Sequence, residues 1–265
     1  MSDSFESAEI VQDSDGRQYH IGLTADEVSR FILTCGDPAR AERISKRFER
    51  IDHCVRNREY VTFTGVYKGM PLTVMATGMG PDNTEIAVIE MCQLVEDPVF
   101  IRVGTCGGLQ PNMEIEDLVI STGSLRLENT STYFVHEGFP AVAHYEVVAV
   151  LKHAAEDLKK KFHVGITATA PGFYGAQGRE GLGFPPRWPD LPEQLAKMGV
   201  KNMEMETSAL FTLCAMRDFR AGAVCTVFAN RTTNKFIQPD RKHAAEDSAI
   251  DVALQAFVDI HQAEG

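Results

Sequence analysis

Short apolar runs rich in β-branched residues alternate along this chain with longer segments of helical spacing, and that alternation restricts the fold more than any other feature. "FILTCG" (31–36) closes on a glycine and passes into "DPARAERISKRF", where Asp37 suits a helix N-cap and Pro38 the first turn. "EYVTFTGVY" and "PLTVMATG" read as strands joined by "KGM", a hairpin. "PDNTEIAVIEMCQLV" then places Ile86, Ile89, Glu90 and Leu94 on one helix face. Strands follow at "PVFIRVG" (98–104) and "DLVISTGSLRL" (117–127), a helix at "YEVVAVLKHAAEDLKKKF", and a strand at "HVGITATA". After a Gly/Pro-rich stretch, "KNMEME" ends a strand and a helix starts at about Thr207. "AGAVCTVFA" is a late buried strand, and "RKHAAEDSAIDVALQAFVDIHQ" closes the chain as a helix. Strands interleaved with helices predict an α/β sandwich around a mixed sheet. Ligands in such folds gather at the carboxyl ends of strands.

The 265 residues, 44% of them hydrophobic, suffice for one sizeable core, and no linker-like shift in composition divides them. Residues 19–265 are therefore expected to form a single domain. The opening 18 residues, "MSDSFESAEIVQDSDGRQ", are acidic and serine-rich, too polar to bury much surface, and are expected to be a flexible lead-in. They lack the basic and apolar regions of a secretory signal. A formal net charge of -11 argues against nucleic acid or an acidic membrane as partner. No apolar run approaches the roughly 18–20 residues of a membrane span, so a soluble, cytoplasmic protein is expected. The six cysteines show no C-x-x-C spacing and read as buried, reduced thiols, and the eight histidines lack zinc-ligand spacing, so no metal site is expected from them.

Four groups of polar residues sit where strands end. In "CGDPARAERI", the Gly36 turn opens a helix N-terminus suited to an anion, with Arg40 in its first turn; an ordinary turn with a surface arginine would look the same. In "IRVGTCGGLQ", Arg102 interrupts an apolar strand and demands an anion, either a ligand or a glutamate of the protein, and Thr105 follows the Gly104 turn. "GTCGG" does not match G-x-G-x-x-G, so nicotinamide or flavin binding is not supported. "GFYGAQGRE" offers Phe173, Gln177 and Arg179 on a glycine-rich loop. An amide that donates and accepts, next to a planar fork of donors, complements a flat heterocycle with carbonyl, N–H and carbonyl along one edge. In "NMEMETSALFTLC", Glu204 and Glu206 flank Met205, and an ionised carboxylate there can accept from the vicinal hydroxyls of a sugar. A solvated turn and ordinary core packing remain the alternatives for the last two groups.

In order and spacing, "HIGLT", "GDPAR", "NREY", "ATGMG", "IRVGTCGGLQ", "FPAVAHYE", "FYGAQGR", "NMEMETSAL" and "ANRT" together resemble the nucleoside phosphorylase family of trimeric and hexameric α/β enzymes. The resemblance runs from about residue 19 to the final helix. It implies a three-layer α/β/α sandwich around a mixed, partly barrel-like β-sheet. It also implies homo-oligomers, hexamers assembled from dimers with shared active sites. By position, Gly36, Arg40, Arg102 and Thr105 resemble the family's phosphate ligands, and Arg58 in "NREY" the arginine lent to a dimer neighbour's phosphate. His20 resembles the histidine that crosses the same interface to the ribose. Glu206 with Met205 resembles the ribose clamp, with Thr105 beside it. Glu204 matches an acidic position there too, or a salt bridge that supports the clamp. Phe173 would stack on the base, with Gln177, Arg179 and Arg231 around its edge. No cofactor is implied beyond inorganic phosphate as co-substrate and an interface potassium, for which Glu59 is the recognisable ligand and Asn83 stands where a serine is common.

Purine-specific members that resemble this chain carry an aspartate after the late strand, where this chain reads "TVFANRTTNKF", without an acid. Gln177 can pair with O2 and N3–H of uracil while Arg179 donates to O4. The expected activity is therefore reversible phosphorolysis of uridine to uracil and ribose 1-phosphate, a step of pyrimidine salvage, with Arg102, Gln177, Arg179 and Glu206 carrying it. A purine nucleoside phosphorylase or a nucleosidase of the same fold is the nearest alternative, and a hydrolase would have little use for Arg40, Arg58 and Arg102 together. A non-catalytic nucleoside binder is a third reading, which predicts binding without product. The segment "GLGFPPRWPDLPE", with Pro185, Pro186, Pro189 and Pro192, departs from the family's usual sequence and is stiffer than a glycine-rich flap.

Overall fold

β1 (Phe31–Cys35) is buried along its whole length and turns through Gly36 into α1 (Pro38–Ser45). Asp37 caps that helix as expected, accepting from Ala39 N at 2.9 Å, with Pro38 in the first turn. β2 (Arg50–Asn57), β3 (Tyr60–Tyr67), β4 (Met70–Ala76) and α2 (Pro81–Leu94) follow. The computed structural model describes residues 8–9 and 11–265, and its contacts fall into two compact units. The first comprises the chain up to Met79 together with Asn83–Phe100, and the second Gly80–Asp82 together with Ile101–Gly265.

In the first unit the strand order is β1-β4-β3-β2, with β1 and β4 parallel and the other pairs antiparallel. The β3–β4 hairpin turns at Lys68 and Gly69, both at positive φ (47° and 76°), as a two-residue turn matched to strand twist requires. β2 is not evident in the sequence, because "RIDHCVRN" has no apolar face. Its side chains are mostly exposed and its pairing with β3, from Arg50 opposite Val66 to Asn57 opposite Tyr60, is a matter of backbone hydrogen bonds. Of the lead-in expected over 1–18, residues 1–7 and 10 lie outside the described residues. Residues 11–18 form a turn in which Asp13 Oδ1 accepts from the backbone of Asp15 and Arg17, while Arg17 pairs with Glu27 at 2.7 Å. Local charge pairing holds this polar stretch where apolar burial could not.

The second unit takes up β5 (Val99–Gly108) from Ile101. It continues with β6 (Leu118–Arg126), β7 (Ala141–Val142), α3 (Tyr145–Asp157), β8 (Phe162–Thr169) and α4 (Leu191–Lys197). β9 (Asn202–Glu204), α5 (Thr207–Met216), β10 (Arg220–Asn230), β11 (Lys235–Phe236) and α6 (Lys242–Glu264) complete it. β5 pairs with β9, β9 with β8, β8 with β6, β6 with β10 and β10 again with β5. This is a closed, mixed five-stranded barrel, so the mixed α/β class and the barrel-like sheet are as the sequence and the resemblance imply. Cys106, Met113, Val119, Cys225 and Val227 pack in one buried cluster of the barrel strands and the β5–β6 connection. α4 is absent from the sequence reading because prolines surround it, but Pro192 lies in its first turn, where a missing N–H costs nothing. No disulfide forms among the described residues, and Cys35, Cys106, Cys214 and Cys225 are buried. None of the described helices is long and apolar enough to cross a membrane.

Candidate active site

β9 is only three residues long, and the chain leaves it directly into α5 with Glu206 at the N-cap position. The first N–H groups of a helix have no intrahelical acceptor, and they carry the positive end of its dipole. Glu204 fills that place. It accepts from Glu206 N at 2.9 Å and Thr207 N at 3.0 Å through Oε2, and from Thr169 Oγ1 at 2.5 Å through Oε1. Arg102 reaches both carboxylates, with Nε 3.1 Å from Glu204 Oε2 and Nη2 donating to Glu206 Oε2. The remaining oxygen of Glu206 accepts from Gly80 N at 2.7 Å. Arg102 thus makes the glutamate salt bridge that its position in an apolar strand left open, and Glu204 supports the helix start and Arg102.

All three residues are buried, Arg102 with a relative exposure of 5% and Glu204 and Glu206 with 3% each. Burial opposes the charge of Arg102, but Glu206 and Glu204 outweigh it and keep the guanidinium protonated. Burial pushes the Glu206 carboxyl above its ordinary range; Arg102 counters this and Glu204 adds to it. One cation against two carboxylates leaves no positive charge to spare, so a phosphate dianion at Arg102 needs other cations. Glycine at 104 is dictated by this arrangement: a Cβ there would stand 2.8 Å from Cys225 Sγ and 2.9 Å from Arg102 Nη2. Thr105 and Met205, both half-buried, border the trio in sequence.

The loop after β8 brings the four base-side residues together. Gln177 is buried and ends a short 3₁₀ turn, with Gly178 at φ 65° just beyond it. Arg179 donates from Nη1 to Phe173 O at 2.8 Å and to Gln177 Oε1, and its guanidinium lies 4.0 Å from the Phe173 ring centroid. Arg231 donates from Nη1 to Gln177 O at 3.0 Å. A Cβ on Gly107 would meet Arg231 Cγ at 3.3 Å and Arg179 Nη2 at 3.8 Å, so this glycine of β5 lies against both guanidinium side chains. Burial, then the neighbouring Arg231, pulls the Arg179 pKa down to about 10, and burial lowers that of Arg231. Neither has an ion-pair partner among the described residues. Two cations concentrated about a buried amide favour a ligand that is, or becomes, negative.

The remaining expected residues belong to the first unit. Gly36 lies against Gly78 O, 3.1 Å from where its Cβ would be, and Arg40 is buried in the first turn of α1. His20 Nδ1 is 2.6 Å from Glu90 Oε1, and Glu90 Oε2 accepts from His20 N at 3.1 Å and Ile21 N at 2.8 Å. Arg58 is exposed at φ 53° and donates to Tyr19 OH at 2.8 Å. Three contributors escaped the sequence reading. Glu90 had a signal, an acid inside "AVIEMCQ", but was read only as part of a helix face. Thr169 and the N–H of Gly80 had none, since their partners are set by strand register and by the backbone.

Residues 30–258 match the model of the Phosphorylase superfamily. A uridine phosphorylase of Thermococcus kodakarensis is 44% identical over 92% of this chain and 89% of its own length. The uridine phosphorylase of Escherichia coli K12 is 35% identical over 90% of this chain and 96% of its own. A guanosine phosphorylase of Halorubrum lacusprofundi is 33% identical over 81% of this chain and 84% of its own. A match on this scale, which takes in the glutamate pair with its arginine and the base-side loop alike, means that the chain belongs to the phosphorylase superfamily.

Proposed function

We propose that this protein is a uridine phosphorylase, which transfers ribose from uracil to inorganic phosphate and back. The observation that carries the reading is the pair of guanidinium groups, Arg179 and Arg231, around the buried Gln177. Breaking the glycosidic bond leaves negative charge on the base, and preformed donors aimed at that charge stabilise the transition state without reorganisation. Gln177 pairs with O2 and N3–H, Arg179 donates to O4, Arg231 adds to the field and Phe173 stacks on the ring. Cytosine would leave polar groups of this set unpaired, which disfavours it strongly.

Glu206, with Met205 and Thr105 beside it, holds the ribose hydroxyls, and Glu204 fixes the turn that carries it. Phosphate is itself the nucleophile, so no side chain need form a covalent intermediate. Gly36, Arg40, Arg102 and Thr105 are its ligands in this reading, with Arg58 contributed by a neighbouring copy whose His20 reaches the ribose; these roles rest on the family resemblance. Holding phosphate beside C1′ balances the cationic sugar and removes an entropic cost. The reading includes residues 19–265 acting as one catalytic domain, a homo-oligomer built of dimers and reaching a hexamer, and a cytoplasmic role in pyrimidine salvage. Interface potassium fits only in part. Glu59 lies beside Gly78 through its Cγ, 3.6 Å from where a Cβ would be, but Asn83 turns its amide nitrogen, a donor, to the same glycine, and no step is routed through a cation.

Release of free base from uridine, thymidine, cytidine and inosine, each with and without phosphate, tests the proposal. Uridine is expected to be cleaved fastest, and only with phosphate. Faster release from inosine, or release from uridine without phosphate, would overturn it.

A further inference from the structure

Thr169 ends β8, is fully buried, and lies opposite Glu204 in the β8–β9 register. Its Oγ1 has three polar neighbours: Glu204 Oε1 at 2.5 Å, Ser208 N at 2.9 Å and Ser124 Oγ at 2.8 Å. A hydroxyl has one proton to give and two lone pairs to receive. A carboxylate only accepts and a backbone N–H only donates, so Thr169 gives its proton to Glu204 and receives that of Ser208. Ser124 must then be the second donor, its single proton going to Thr169 Oγ1 rather than to Thr167 O, which lies farther away at 3.3 Å. Every valence of this oxygen is used, and the direction of each bond follows from its partners.

The N–H groups of three successive residues therefore end on two side chains. Those of Glu206 and Thr207 reach Glu204, and that of Ser208 reaches Thr169. Glu206 heads this turn, and its carboxylate leaves from a backbone fixed by the pair. We infer that the Thr169 hydroxyl is a positioning element for Glu206 and thereby sets the enzyme's preference for ribose over 2′-deoxyribose. The inference rests on the reading of Glu206 as the ribose clamp. A site loses function when its supporting groups let it drift by more than about 0.5 Å. Loss of the hydroxyl should loosen the clamp without unfolding the protein. Glu204 keeps Arg102 and its two backbone donors, and Ser208 keeps a second tie through Oγ to Glu128 Oε1 at 2.8 Å.

Two substitutions separate the hydroxyl from the shape of the side chain. Thr169→Val keeps the branch and loses the oxygen, whereas Thr169→Ser keeps the oxygen. With uridine, 2′-deoxyuridine and phosphate as varied substrates, Thr169→Val is expected to raise the KM for uridine roughly 10-fold, as loss of one buried hydrogen bond can do, and to leave that for 2′-deoxyuridine within about twofold. Thr169→Ser should restore the wild-type ratio. Equal losses on both nucleosides, or a lowered Tm with the ratio unchanged, would overturn the inference. Should Thr169→Val not fold, Ser124→Ala removes the donor that orients Thr169 and is expected to lower the ratio to a smaller extent; an unchanged ratio would count against the idea. Glu206→Gln is the control for the underlying reading. If it leaves the ribose preference intact, the clamp itself is wrong; if it abolishes the preference while Thr169→Val does not, only the role of Thr169 fails.

Discussion

If Glu206 clamps the ribose as proposed, its task and its surroundings pull its charge in opposite directions. Accepting from sugar hydroxyls requires a carboxylate, yet burial and the adjacent Glu204 favour the neutral acid, while Arg102 and the backbone at Gly80 and Met205 hold the ionised form. Its pKa is raised above the ordinary carboxylate range, so it takes up a proton at a higher pH than an exposed glutamate would. Protonation turns one acceptor oxygen into a donor and weakens the hold on the ribose. The kcat/KM for uridine should therefore fall on the acid side with an apparent pKa above about 4.3, the value of an unperturbed glutamate. A pH profile of kcat/KM checks this. Because the two glutamates share Arg102, that pKa belongs to the coupled group. In the Glu206→Gln variant the residual activity should lose this limb; an acid limb that persists there would assign the titration elsewhere.

At the scale of strands and helices, much of the fold was legible because each element has an apolar face or a cap. The start of α5 at Thr207, the cap at Asp37 and the β3–β4 hairpin were all readable for that reason. β2 and α4 were not, since one is held mainly by backbone pairing and polar side-chain contacts and the other lies among prolines. The site residues were legible as types, and their partners were not. Arg102 announced that it needed an anion, but strand register alone decides that Glu204, Glu206 and Thr169 meet there. The same register makes Gly104 of β5 a test of barrel packing. Gly104→Ala would drive a Cβ to 2.8 Å from Cys225 Sγ of β10 and 2.9 Å from Arg102 Nη2. Overpacking of this kind costs about 1–3 kcal/mol. Removing the sulfur relieves one of the two clashes, so denaturant unfolding of Gly104→Ala, Cys225→Ala and the double variant should reveal coupling, with the double variant more stable than the sum of the two losses predicts. Strict additivity would mean that the two strands do not meet through these atoms.

For the whole molecule, charge bears on whether a working site draws on a second copy. Arg102 is outnumbered by two carboxylates, so the proposed phosphate site must draw cations from elsewhere, and Arg58 is a candidate of a distinctive kind. It is exposed, rests on Tyr19, and has no ion-pair partner among the described residues, which suits a cation presented outward to a second copy. In a two-fold dimer that shares its sites, Arg58→Ala damages the neighbour's site, whereas Glu206→Gln damages its own. A mixed dimer then has one site with both lesions and one with neither. The two variants, each nearly inactive, should recover activity when they are mixed in equal amounts, partially unfolded and refolded together. Random pairing makes half of the dimers mixed, so about a quarter of the sites are intact and about a quarter of wild-type turnover is expected. Without refolding, exchange should be slow and the recovery smaller. If the refolded mixture has no more activity than the average of its parents, Arg58 does not act across an interface, and the cation that balances the phosphate must come from within the same chain.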